Sequence, residues 1–261
     1  MREPRDIVRQ ITVGASAVIA IVGSFVGSGA AGGTPIQDAA GGALAADATL
    51  IAPDAPAFSI WSIIYLGLIA YAVWQFLPAQ SSAERHRRLG YWIAASLILN
   101  AAWILSIQFD LLVLSVPIIV VLLAVLIQAF LQTLQYRPLN AFDALVTDAT
   151  VGLYLGWVAI ATAANVTALL AVSGFTGWGL PPELWSIVVI TVAALAGITL
   201  AVVGRGRISP ALSLSWGLAW VAIGRLTGDL VSVPTAVAAI IAVVLVLGSA
   251  VVLRATRGRS L

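Results

Sequence analysis

The chain has 261 residues, 61% of them hydrophobic and only 9% charged, with a mean hydropathy of +1.05. Soluble domains carry ~25% charged residues, so a water-facing globule is excluded and a membrane protein is expected. Zero cysteines remove disulfides and thiolate chemistry, and the absence of lysine removes a Schiff-base retinal protein. The net charge of +2 comes from loop arginines. It forms no basic patch interleaved with exposed aromatics, so no nucleic-acid partner is expected.

Crossing a bilayer takes roughly 20 mostly apolar residues. Eight segments qualify, at about 7–29, 57–77, 90–109, 112–134, 145–171, 185–204, 209–227 and 233–253. The predicted fold class is therefore all-α, a polytopic membrane helix bundle in contact with the lipid bilayer. The first segment has two readings. Basic residues, an apolar run from Ile11 to Val26 and small residues at Ser28-Gly-Ala-Ala31 resemble a cleavable signal peptide. The run is long for a signal, and Gly23-x-x-x-Gly27 suits a retained helix that packs closely on another.

A loop from about Ala30 to Ala57, rich in Gly, Ala and Asp, leads to the second segment, which carries Trp61-Ser-Ile-Ile-Tyr65, Tyr71 and Trp74. His86, the single histidine, falls among Arg85, Arg87 and Arg88 and is expected to be solvated in a loop. Tyr91 and Trp92 suit an interfacial belt, and Leu99-Asn100-Ala-Ala-Trp103 follows deeper in the third segment. Segments three and four are parted only by the region around Asp110.

Asp143 and Asp148 enter the fifth segment, where acids favour the N-terminal helix dipole. Its middle reads Tyr154-Leu-Gly-Trp-Val-Ala-Ile-Ala-Thr-Ala-Ala-Asn165. Tyr154, Trp157, Ala161 and Asn165 are spaced three, four and four apart and share one helix face. An unpaired amide in hydrocarbon costs several kcal/mol, so that face is expected to look inward. Gly152-x-x-x-Gly156 permits another close helix approach, within the bundle or across a dimer. Further on, Pro182 and Glu183 suit a helix N-terminus, Trp178 and Trp185 an outer interface, and Trp216 and Trp220 packing. Arg225 and Asp229, four apart, are expected to pair.

The arginines test the count. Arg2, Arg5 and Arg9 precede segment one, Arg85, Arg87 and Arg88 follow two, Arg137 follows four, Arg205 and Arg207 follow six, and Arg254, Arg257 and Arg259 follow eight. The opposite loops hold Asp38, Asp47, Asp54, Asp110, Glu183 and Asp229, with Arg225 alone among the basic residues. By the positive-inside rule both termini are cytoplasmic and the number of spans is even. A lysine-free, arginine-only composition fits a GC-rich bacterial gene, hence a bacterial plasma membrane.

Three of these motifs together resemble the translocator protein family, also called tryptophan-rich sensory proteins or peripheral-type benzodiazepine receptors. The stretch Tyr154 to Asn165 resembles its fifth helix, Trp61 to Trp74 its second, and Leu99 to Trp103 its third, in the family's order. Two departures stand out. The family's Lys-Pro-x-x-x-Pro-Pro run is here Ile51-Ala-Pro53-Asp-Ala-Pro56, and its Pro-Tyr is here Leu153-Tyr154. The resemblance implies a five-helix unit over residues 1–172 with a three-helix extension over 173–261, and a homodimer as one use of the glycine motifs. It also implies a small lipophilic ligand, porphyrin-like and flat, held without an obligatory cofactor. Trp61, Tyr65, Trp103 and Trp157 would stack on it, Asn100 and Asn165 would satisfy its polar edges, Ala161 would leave room, and Tyr154 would also belong to the ligand site. From residue types alone, interhelical hydrogen bonding by the two amides explains the pattern equally well. The resemblance tips the balance to a sensor, carrier or scavenger, with light- or oxygen-dependent tetrapyrrole degradation or a structural membrane subunit without its own ligand as alternatives. No nucleophile–base pair, HExxH or phosphate loop is present, and no catalytic or metal-binding residue is assigned.

Overall fold

A computed structural model describes residues 3–257 of the chain; Arg2 and Arg259 of the arginine pattern, and the side chain of Arg257, lie outside the described residues. Among the described residues the structure is helical throughout, without strands. The long helices are α1 (Pro4–Gly27), α2 (Ile60–Trp74), α3 (Glu84–Gln108), α4 (Leu112–Gln135), α5 (Thr150–Val172), α6 (Pro182–Val203), α7 (Ile208–Thr227) and α8 (Val233–Arg257). A 3₁₀ turn, Ala55–Ser59, leads into α2, while a short helix, Ala141–Asp143, and a π-helical segment, Ala144–Ala149, lead into α5. Counting these extensions, seven helices among the described residues are long and apolar enough to cross a membrane. The helix that falls short is α7: its 20 residues suffice in length, but Ser209, Ser213, Ser215 and Arg225 lower its apolarity. The expected polytopic bundle is thus found, with seven apolar spans and one full-length, more polar helix.

The chain divides into two compact units, Met1–Ile36 with Ile60–Leu155, and Gln37–Ser59 with Gly156–Leu261. In the first, α1 packs on α3, and α3 on α4. The glycines of α1 make this possible: a Cβ on Gly23 would lie 2.9 Å from the Cβ of Ala101, and one on Gly27 only 2.8 Å from Ile104. The glycine motif is therefore used inside the unit. At its N-terminus α1 is closed by a reciprocal capping box between Glu3 and Asp6.

The α3–α4 junction is a tight turn centred on Asp110, whose φ is +62°. Aspartate tolerates the left-handed region because its short polar side chain bonds locally, whereas a β-branched residue does not. Asp110→Gly is expected to leave stability unchanged or raise it, and Asp110→Val to lower it by about 1–2 kcal/mol. Thermal melting in detergent, followed by tryptophan fluorescence, checks both. Equal melting temperatures for the two variants would refute the strained-turn account.

In the second unit α6, α7 and α8 pack on one another. The α5 residues of this unit lie against α7, where a Cβ on Gly156 would overlap the Pro210 carbonyl and one on Gly217 would come within 2.6 Å of Ile160. The loop 37–59 belongs here as well, with Leu44, Ile51, Ala52 and Ala57 buried. Four bonds tie it to α7. Trp216 Nε1 donates to the Ala57 carbonyl at 2.9 Å, the Asp54 amide donates to the Trp220 carbonyl at 3.3 Å, and Arg225 donates to the carbonyls of Thr49, at 2.8 Å, and Ala46. The expected Arg225–Asp229 pair is replaced by this arrangement. Arg225 is 1% exposed and turned to the loop, whereas Asp229 is exposed and has no ion pair among the described residues.

Candidate functional site

Five of the residues singled out from sequence meet in the first unit. Trp61 of α2 contacts three other rings, with centroid separations of 5.5 Å to Tyr65, 6.5 Å to Trp103 on α3 and 5.8 Å to Tyr154 on α5. The Trp61–Trp103 pair is stacked, and the Trp61–Tyr154 pair is edge-to-face, the geometries that ring quadrupoles favour. Spacing explains the placement: Trp61 and Tyr65 are four apart on α2, so both rings stand on one face.

Polar atoms thread the same cluster. Asn100 Nδ2 donates to the Tyr65 hydroxyl, which also bonds Ser24 Oγ of α1, and the Tyr154 hydroxyl donates to the Ser96 carbonyl at 3.2 Å. Asn100 is 1% exposed, yet its Oδ1 has no hydrogen-bond partner. A buried carbonyl oxygen left this way costs about 1–3 kcal/mol. The cluster thus presents an unused acceptor beside four rings. Trp103 and Tyr154 are buried, while Trp61 and Tyr65 are half-buried, so its accessible edge is the α2 edge.

The other three residues of the fifth-helix motif belong to the second unit. Trp157 is buried there, edge-to-face with Phe58 at 5.9 Å; Asn165 is 1% exposed; Ala161 is half-buried. Within its own unit, Tyr154 stands with the rings of α2 and α3, and within its own, Trp157 stands beside the 3₁₀ turn Ala55–Ser59.

At the α1 N-terminal end of the first unit lies a buried ionic network that sequence reasoning missed. His86, expected in solvent, is on α3 and fully buried, with Nε2 2.9 Å from Gln80 Oε1 and its ring 5.6 Å from Tyr71. Arg85 bonds Asp148 and the Tyr136 carbonyl and lies 3.6 Å from Asp143. Asp143 accepts from Trp74 Nε1 at 3.2 Å, Thr147 Oγ1 at 3.0 Å and the Leu139 amide at 3.0 Å. On α1, Arg9 donates to the Ser81 carbonyl and Gln10 to the Gln75 carbonyl, while Arg87 reaches Asp6 at 2.7 Å.

Asp148, expected to stabilise a helix start, is instead a partner of Arg85 on the π-helical segment. Such wide turns are frequent at functional sites. A signal for the network was present in the sequence. Asp6, Arg9, Val13, Ala17, Ala20, Gly23 and Gly27 recur at three- and four-residue steps, so the glycine face of α1 runs back through the charged residues.

A multi-pass helical bundle with an aromatic–amide cluster and arginines at its helix ends is that of a polytopic membrane protein. The chain belongs to the TSPO-like protein family, whose family model matches residues 13–251. The match includes the helices after residue 173 as well as those before it. No curated protein and no solved structure matches the chain.

Proposed function

We propose that the protein binds a flat lipophilic ligand of porphyrin or tetrapyrrole shape at the first unit's aromatic cluster. It would act as a sensor, carrier or scavenger in a bacterial plasma membrane, with both termini on the cytoplasmic side. The observation that carries this reading is Asn100, whose buried Oδ1 lacks a partner beside Trp61, Tyr65, Trp103 and Tyr154. A pyrrole N–H or another ring-edge donor would satisfy that oxygen, and the rings would stack on the ligand's faces. A metal-free tetrapyrrole suits the residues better than haem. His86 precedes Asn100 by fourteen residues on α3, or about 21 Å along the axis, and its Nε2 is engaged with Gln80.

The test is a titration of purified protein with protoporphyrin IX, following its main absorption band. Trp61→Ala is expected to weaken binding tenfold or more, since removing a stacked indole costs roughly 1.5–3 kcal/mol. Asn100→Leu should weaken it by a smaller factor while the melting temperature is held or raised, because it removes an unsatisfied buried acceptor. Unchanged affinity in both variants would remove the site.

A further inference from the structure

The second unit contains a cavity of about 500 Å³ that the aromatic cluster of the first unit does not involve. Its walls come from loop residues 48–51, the C-terminal end of α5 (Thr167, Leu170, Ala171), the α5–α6 connection, the start of α6 (Glu183, Trp185, Ser186, Val189) and Leu230–Val231 before α8. That volume lies within the 300–1,000 Å³ typical of small-molecule sites, and the lining is mostly apolar with a few hydroxyls, the usual makeup of such a site.

Three features define what would fit. First, Glu183 is the single ionisable residue among those that line the cavity, and among the described residues it has no ion pair. It sits in the first turn of α6. Second, aromatic faces are held ready. Trp185 Nε1 donates to the Gly177 carbonyl at 2.9 Å, which fixes the indole and spends its only donor. Phe175 packs edge-to-face on it at 5.6 Å, and Trp178 packs on both. Third, Thr49 lines the cavity at 8% exposure, and its Oγ1 has no hydrogen-bond partner.

The exposed charges flanking the lining are acidic. Asp47 and Asp229, each next to a lining residue, are exposed. The one cation of this region, Arg225, is buried and has both terminal nitrogens engaged with the Ala46 and Thr49 carbonyls. A carboxylate beside fixed aromatic faces, inside an apolar chamber with acidic flanks, selects a lipophilic organic cation over an anion of the same size.

We propose that this cavity is a second ligand site, one that takes an amphiphilic organic cation (a hydrophobic amine or quaternary onium ion) with its charge against Glu183 and its apolar body against Phe175 and Trp185. The site is independent of tetrapyrrole binding in the first unit.

Equilibrium dialysis of the full chain in detergent tests it, with protein-free micelles as the baseline and tetraphenylphosphonium as probe. Tetraphenylborate, of nearly the same shape and opposite charge, is the comparison. Saturable binding of one phosphonium per chain is expected, with tetraphenylborate not saturating. Glu183→Gln should weaken phosphonium binding about tenfold with an unchanged melting temperature. Ala171→Trp, which fills the chamber, should abolish it while protoporphyrin binding persists. Saturation by tetraphenylborate as tight as by the phosphonium, or phosphonium affinity unmoved by Glu183→Gln or by Ala171→Trp, would overturn the proposal.

Discussion

Replacing Arg85 by methionine is expected to lower stability by about 3–5 kcal/mol, the usual cost of removing one partner from a buried ion pair. The reason is what remains. Asp143 is 0% exposed and Asp148 9%, and both face the Arg85 guanidinium. Without it, two carboxylates would stand together in a buried site, where ionised groups are costly. Asp143 would keep bonds from Trp74, Thr147 and the Leu139 amide, but Asp148 would lose its arginine partner.

Two further variants separate this account from a general effect of removing arginine. Arg88→Met removes a guanidinium that is 61% exposed and bonded to Glu84 at 2.7 Å, and should leave the melting temperature nearly unchanged. The triple variant Arg85→Met, Asp143→Asn, Asp148→Asn should recover much of the loss, because it removes the stranded charges as well. Thermal melting by tryptophan fluorescence reads all three. An Arg85→Met protein as stable as Arg88→Met would show that the network contributes nothing to the fold.

The bundle was legible in the sequence because hydrocarbon leaves a chain few options. Every backbone group must be satisfied internally, so each long apolar run is read as a helix, and the helices lie close to the expected segments. The aromatic cluster was legible in part for a similar reason: an amide is unfavourable toward lipid, so the fifth-segment face with Tyr154 is read as inward, while Trp61, Tyr65, Asn100 and Trp103 are singled out by their resemblance to the family's second and third helices. The ionic network was misread because arginines near helix ends were assigned to solvent by type. Arg85 and His86 in fact lie on a helix that begins at Glu84, nearly two turns before the segment hydropathy suggests, and the packing of α1 on α3 buries them. A hydropathy window averages over such a turn, whereas the three- and four-residue periodicity of α1 does not. The Arg225–Asp229 pairing failed for a different reason. Helical spacing identifies which residues are able to meet, and here the loop 37–59 supplies carbonyls that compete for the guanidinium. Nothing in local spacing reveals a partner more than 170 residues away in the chain.

Arg225→Leu is accordingly expected to release that loop. The guanidinium donates to two carbonyls, Thr49 and Ala46, and hydrogen bonds from a charged donor are worth ~1.5–3 kcal/mol each. Leucine matches the apolar stem but leaves the loop's inward carbonyls without donors, so a loss of about 3 kcal/mol is expected. The effect should be local before it is global. Hydrogen exchange at residues 46–52 should accelerate strongly, while that of α3 and α4 stays unchanged. Trp216 and Trp220 would still hold Ala57 and Asp54, so the far end of the loop should stay protected. Because Thr49 and Ile51 line the second-unit cavity, phosphonium binding should weaken in this variant even though Glu183 is intact. Arg225→Lys provides the graded case: a single ammonium reaches one carbonyl more readily than two, so its exchange rates should fall between wild type and leucine. Protection at residues 46–52 equal to wild type in Arg225→Leu would mean that the buried apolar residues of the loop, Leu44 and Ile51 among them, suffice to hold it.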